Sequence, residues 1–333
     1  MNNETVIDLQ PPILLRHPHL QNLVSSLGLR HNALKRRTQH LTQHTNSVIV
    51  DGGDGVRLTG EISVNPTNQN GDGSRLVILI HGWEGCSQSA YMISAALALF
   101  NAGFNVFRLN LRDHGDSHQL NEGLFNSTLI SEVLSSIADI QQRWPHQYTF
   151  LAGFSLGGNF ALRVGSLAPS QTITLNHVAA VCPVIDPGHT LRALENTVFF
   201  YEQYFVRRWR NSLLKKLDYF PHYNYRTELM ALNNLRDMHG FFVPRFTPFN
   251  TTEEYFDAYA IKSDLLNNMC IPTHIITSAD DPITKAETLP NSINNSNVVI
   301  ERPRYGSHCA FLQDYRLTSW LDDRLIHLFN QAS

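Results

Sequence analysis

None of the four cysteines forms a CxxC pair; Cys86, Cys182, Cys270 and Cys309 are scattered along 333 residues. That spacing supplies no disulfide framework and no thiolate knuckle, and it predicts a reduced, cytoplasmic protein. Sixteen histidines are present, but HExxH is absent, so no metal and no other cofactor is expected. Neither sign of charge dominates. The 26 Lys and Arg against 29 Asp and Glu leave a net charge of -3, which argues against nucleic acid as a partner. Long apolar runs are lacking too. The stretches 76–80 and 93–100 fall far short of the roughly 20 residues a membrane span needs. The start, Met1-Asn2-Asn3-Glu4, shows no basic segment followed by an apolar one, so no secretory leader is expected.

What is present is a globular composition, 42% hydrophobic and 17% charged. The length suits one large α/β domain with an insertion, or two small domains. Residues 1–46 are polar, with a basic patch at Lys35-Arg36-Arg37, and read as an arm packed on the domain. A hairpin is predicted over 47–50 and 56–64, turned at Asp51-Gly52-Gly53-Asp54-Gly55. After a Gly/Asn-rich loop over 65–73, the segment 75–80 reads as a strand buried on both faces. Strands at 104–109, 148–153 and 177–184 then alternate with helices at 89–103, 128–144 and 155–167. This alternation predicts a doubly wound, mostly parallel sheet with right-handed crossovers.

The alternation stops between 187 and 262. No buried strand is legible there, and the segment holds roughly half of all aromatic residues. Tyr201, Phe205, Trp209, Leu213 and Leu217 recur every fourth residue, which is one helix face. Arg207, Arg208, Arg210, Lys215 and Lys216 lie between them and read as a solvated basic side. The segment is expected to be an amphipathic layer on the domain, or a lid over an apolar pocket that touches acidic lipid surfaces. Strands are expected again at 273–278 and 298–302, and a closing helix over 311–329.

Gly153-Phe154-Ser155-Leu156-Gly157 is a GxSxG motif. Chance alone yields about 0.08 matches in a chain of this composition, so the setting has to carry the argument. The motif stands between a predicted strand and a predicted helix, where a sharp turn would expose the serine at a helix N-terminus. A serine hydroxyl needs a base to take its proton. His308, in Tyr305-Gly306-Ser307-His308-Cys309, lies between the last strand and the last helix; His327 lies mid-helix. The acid belongs at the end of the preceding strand. Asp280 and Asp281 both stand there, and the Asp-Pro step favours Asp281. The order Ser155, Asp281, His308 is that of an acyl-transfer triad on this kind of sheet. Two backbone N–H groups must meet the oxyanion, and Trp83 and Leu156 are the candidates. His81, His114 and Asp116 read as loop-bracing residues.

On these residues the chain resembles the YheT-like, Emb8-type branch of the α/β-hydrolases. Pro12 to Asn22 is similar to the family's LRNPHLQT element, His81-Gly82-Trp83-Glu84-Gly85 with Tyr91 to its HGLxG…Y loop, Ser278 to Pro282 to its AxDDP, and Tyr305 to Phe311 to its GGHxxF. His17, Asn22, Trp83 and Ser307 depart from the family pattern, as does the loop Arg112-Asp113-His114-Gly115. The resemblance implies an α/β-hydrolase fold with a helical lid: an arm over 1–46, a core over 47–186 and 263–333, and a lid over 187–262. It implies a serine hydrolase cleaving carboxylic esters with short- to medium-chain or lipid-derived acyl groups. No histidine has Asp five residues on, so the HxxxxD acyltransferase pattern is absent. Three alternatives remain: a non-catalytic ligand-binding protein on this fold, a peripheral lipid-surface protein, and thioester or acyl-transfer chemistry on the same triad.

Overall fold

The computed structural model describes residues 4–5, 9–26, 28–35, 37–68, 73–290 and 292–333. Met1 to Asn3, Arg36 of the basic patch and residues 69–72 of the Gly/Asn-rich loop lie outside the described residues.

The strands are β1 (Glu4–Thr5), β2 (Thr45–Asp51), β3 (Arg57–Ser63), β4 (Arg75–Ile80), β5 (Asn105–Asn110), β6 (Tyr148–Phe154), β7 (His177–Val181), β8 (Thr273–Ile276) and β9 (Val298–Glu301). They form one sheet in the order β1-β9-β8-β7-β6-β4-β5-β3-β2. β3 pairs antiparallel with both β2 and β5, and the other neighbouring pairs are parallel.

The arm carries α1 (Pro18–Ser26), α2 (Gly28–Lys35) and α3 (Gln39–Gln43). The sheet is flanked by α4 (Ala90–Asn101), α5 (Ile130–Arg143) and α6 (Leu156–Leu167). The run Leu76 to Ile80 explains the layering. Leu76, Ile78 and Ile80 join the core beneath α5 and α6, whereas Val77 and Leu79 join the core beneath α4. Side chains alternate across a strand, so an uninterrupted apolar run needs helices on both faces.

Between β7 and β8 the chain is helical: α7 (Pro187–Asn196), α8 (Phe200–Tyr219), α9 (Arg226–Ala231), α10 (Leu235–Phe246), α11 (Thr252–Tyr259) and α12 (Ser263–Asn267). This insertion has an apolar core of its own, built on Leu191, Tyr201, Leu213, Leu217, Leu229 and Phe242. The stripe from Tyr201 to Leu217 does fall on one helix, α8. Its opposite side is not all solvated. Lys216 is 1% exposed, because its ammonium reaches Asp113 and the carbonyls of His118, Asn121 and Gly123.

A second departure concerns the last helix, α13 (Trp320–Gln331), which starts nine residues later than the sequence pattern suggests. Cys309, Phe311 and Leu317 have φ of +59°, +44° and +61°, values a right-handed helix excludes. Phe311 and Leu312 are wholly buried in the core instead, and Leu312 bridges to Ser319. Their apolar character reflects that burial and not a helix face.

Candidate active site

Ser155 occupies the turn from β6 into α6, with φ of +54° and ψ of -116°. Such a conformation is strained for a residue with a side chain and needs small neighbours. A Cβ on Gly157 would lie 2.3 Å from the Ile80 carbonyl oxygen, and one on Gly153 would lie 2.0 Å from that of Gly157. The Ser155 N–H donates to the Val181 carbonyl at 2.8 Å, tying the turn to β7.

The loop after β9 brings His308 to this turn, and the loop after β8 brings Asp281. His308 Nε2 is 2.9 Å from Ser155 Oγ, and its Nδ1 is 2.8 Å from Asp281 Oδ2. Asp281 is held in turn. Its Oδ1 accepts from the N–H groups of Ile283 and Thr284, and the Thr284 hydroxyl donates to Oδ2 at 2.8 Å. Burial by itself lowers the His308 pKa. The Asp281 charge, the adjacent Cys309 and the Asp281 hydrogen bond outweigh it and raise the value to about 9.

Asp280 has a different contact. Its Oδ1 accepts from the Ser307 N–H at 2.8 Å, bracing the loop that carries His308. The His308 N–H donates to Asn22 Oδ1 of the arm at 3.1 Å. Two contributors escaped the sequence reading, Thr284 and the role of Asn22. Thr284 was within reach, since a hydroxyl three residues after an aspartate is a common turn partner. Asn22 was not, because 286 residues separate it from His308.

Leu156 is the first residue of α6, so its N–H has no partner within the helix. Among the described residues neither it nor the Trp83 N–H meets a backbone acceptor. The loop bearing Trp83 is fixed: the Gly82 N–H donates to the Tyr91 hydroxyl, and that of Gly85 to the Gly82 carbonyl. His81 Nδ1 donates to the Gly82 carbonyl while Nε2 accepts from the Leu111 N–H. His114 Nδ1 donates to the Arg112 carbonyl while Nε2 accepts from the Glu84 N–H. Burial pushes His81 well down and His114 down to about 4, so both are neutral braces with no nitrogen left over. Asp116 is exposed and pairs with Lys215, and His327 is exposed on α13.

A cavity opens over Ser155, with about 1150 Å³ of empty space including its mouth. Trp83 and Leu156 line it near the serine, and the insertion roofs it with Leu191, Phe205, Trp209 and Phe242. The Trp83 and Phe205 rings stack with centroids 5.3 Å apart. Among the described residues one group could share a metal ion. The Cys182 and Cys309 thiols and a His308 nitrogen lie within 4.8 Å of one another. Both His308 nitrogens are already engaged by Asp281 and Ser155.

The sheet order, the helical insertion and the serine turn define a hydrolase of the α/β-hydrolase fold. More narrowly, the chain belongs to the Hydrolase_4 family, described as serine aminopeptidase, S33, whose model matches residues 72–299. It is similar to the putative esterase YheT of Escherichia coli strain K12, with 23% identity over 321 residues covering 92% of this chain and 88% of that one. That match bears out the resemblance carried by the arm and loop motifs. It is also similar to the monoacylglycerol lipase ABHD2 of Danio rerio, 22% identical over 223 residues, 60% of this chain and 51% of the relative. The chain spans about half the length of these lipase relatives. Among solved structures, an esterase of Pyrococcus furiosus, Pf2001, superposes with a TM-score of 0.60 at 17% identity, over 88% of this chain and 93% of that one. Est1E of Butyrivibrio proteoclasticus gives 0.54 at 16%, over 86% and 98%. Among the described residues no helix is long and apolar enough to cross a membrane.

Proposed function

We propose that this chain is a serine esterase that cleaves carboxylic esters with a short- to medium-chain or lipid-derived acyl group. The observation that carries the reading is the unbroken chain Ser155 Oγ to His308 Nε2 at 2.9 Å and His308 Nδ1 to Asp281 Oδ2 at 2.8 Å. Ser155 Oγ attacks the carbonyl carbon while neutral His308 takes its proton. The N–H groups of Leu156 and Trp83 bind the oxyanion, aided by the positive end of α6. His308 returns the proton to the leaving alcohol as the tetrahedral adduct collapses. Water, activated by the same imidazole, then releases the acid and frees Ser155. Asp281 orients the ring and stabilises its charged form.

The aromatic roof supports an apolar acyl group, and the esterase and monoacylglycerol lipase relatives point to the same kind of bond. A fluorophosphonate probe tests the reading: it should label the protein, with adduct mass on Ser155, and leave Ser155→Ala unlabelled. Ester turnover should fall by about 10⁴-fold or more in that variant. Near-normal hydrolysis by Ser155→Ala would overturn the assignment.

Contact with a lipid surface is a second element of the proposal. Ile13 and Leu14 of the arm are 78% and 63% exposed, and Phe199 beside α8 is 74% exposed. The arm reaches α8 through His19 and Asn22, which both bond the Tyr201 hydroxyl. Sedimentation with anionic and neutral vesicles tests this, and absence of binding to both counts against it.

A further inference from the structure

The proposed chemistry leaves one carboxyl in the cavity without a task. Glu84 follows Trp83 in the loop after β4 and lines the same cavity as Ser155. It is 8% exposed. Its backbone is pinned on both sides: the N–H donates to His114 Nε2 at 3.1 Å, and the carbonyl accepts from Arg208 of α8. A φ of +56° shows that the residue is held in a conformation it would not choose freely. Loop and roof together therefore fix where this side chain starts.

The carboxyl itself has no hydrogen-bond partner among the described residues; Arg208 and Asp113 act on it only through their charge. Neither oxygen is sealed off from the cavity that the residue lines, so both are free to meet a polar group of a ligand there. Burial pushes its pKa up to about 8, which leaves a neutral acid at pH 7 with one O–H donor and one carbonyl acceptor. That pair complements a hydroxyl, which accepts and donates at one oxygen. An ammonium is disfavoured by Arg208 beside it. The neighbouring Asp113 carboxylate is already engaged by Lys216 at 2.7 Å.

We propose that Glu84 binds a hydroxyl group of the substrate, so that hydroxylated esters are selected over their hydroxyl-free counterparts. As a statement about substrates this rests on the serine-esterase reading. The hydroxyl belongs either to the alcohol part of the ester or to the acyl chain, and one experiment separates the two.

Binding is measured on Ser155→Ala protein through the change in intrinsic tryptophan fluorescence, to which the cavity residues Trp83 and Trp209 both contribute. The alcohol arm compares glyceryl monooctanoate with methyl octanoate. The acyl arm compares terminally hydroxylated methyl octanoate with methyl octanoate. One hydroxylated ester should bind about tenfold more tightly than its counterpart, the worth of one added hydrogen bond. Adding Glu84→Leu should abolish that ratio, and adding Glu84→Gln, which keeps a donor and an acceptor, should keep most of it. The ratio is taken within each variant, so a general loss of folded protein cancels. Equal affinities in both arms, or a preference that survives Glu84→Leu, overturns the proposal. The same pairs are then given to the wild-type enzyme. Hydrolysis of all of them at equal kcat/KM overturns the Glu84 assignment alone. Failure to hydrolyse any, with a Glu84-dependent binding ratio intact, overturns the esterase reading and leaves the hydroxyl site standing.

Discussion

The ammonium of Lys216 lies 2.7 Å from the carboxylate of Asp113, with 1% and 6% of the two side chains exposed. This pair clamps α8 of the roof to the loop that follows β5. The desolvated charges hold each other, and each would be costly alone.

Removing one partner should therefore be worse than removing both. Lys216→Met is expected to destabilise the protein by about 3–5 kcal/mol, because Asp113 is left buried and uncompensated. The double variant with Asp113→Leu should recover a large part of that loss. Thermal unfolding of the three proteins checks the order.

The two adjacent carboxylates should separate cleanly. Asp281→Asn is expected to lower kcat by about 10⁴-fold, since the amide can stabilise the wrong ring tautomer. Asp280→Asn keeps a side-chain oxygen for the Ser307 N–H and should stay within about tenfold of wild type. Steady-state rates on one chromogenic ester decide between them. The reverse order would assign the acid to Asp280.

The pH profile follows from His308. Only its neutral form can accept the Ser155 proton, and its pKa is raised to about 9. Activity should rise with pH along a limb that inflects on the alkaline side of 6.5. Asp281→Asn removes the charge that raises the value, so the inflection should move down. Stability carries the opposite sign. A raised folded-state pKa stabilises fully below about pH 6.5, and that contribution is lost as pH rises towards the folded value. Rate profiles and unfolding midpoints between these limits test both statements.

Gly157→Ala should fail at the level of the fold. Its new Cβ would lie 2.3 Å from the Ile80 carbonyl oxygen, which belongs to the inner strand β4 and cannot yield. A loss of roughly 2 kcal/mol or more is expected. An unchanged melting temperature would show that the turn tolerates far more than this geometry allows.

Acyl preference should follow the roof. Phe205 stacks on Trp83 above the serine. Phe205→Ala is expected to open the cavity and shift the best p-nitrophenyl ester to a longer chain. Rates across a chain-length series report it, and an unchanged optimum removes Phe205 from the acyl wall.

Much of the architecture was legible because it is local. The apolar run Leu76 to Ile80 reads as a strand covered on both sides, since alternation leaves it no polar face. The stripe from Tyr201 to Leu217 reads as one helix for the same kind of reason, at a period of four. Ser155 stood out because a sharp strand-to-helix turn needs glycines two residues away on either side. Asp281 and His308 were candidates by order along the chain.

Other features are properties of encounters between distant segments. No local pattern marks Lys216 as buried: it sits among basic residues, and only the loop of Asp113, about a hundred positions earlier, gives its charge a partner. Phe311 and Leu312 continue a helical-looking pattern, yet positive φ values and the core beneath them stop a helix from forming there. Asn22 meets His308 across nearly the whole chain. The sequence by itself determined which segments become strands and helices and which residue types stand ready for acyl chemistry, because periodicity and turn chemistry act over a few residues. Tertiary structure alone decided which lysine is buried, which arm residue reaches the His308 loop and which carboxyl lines the cavity without a protein partner. Burial and hydrogen-bond pairing are set by what the fold brings together.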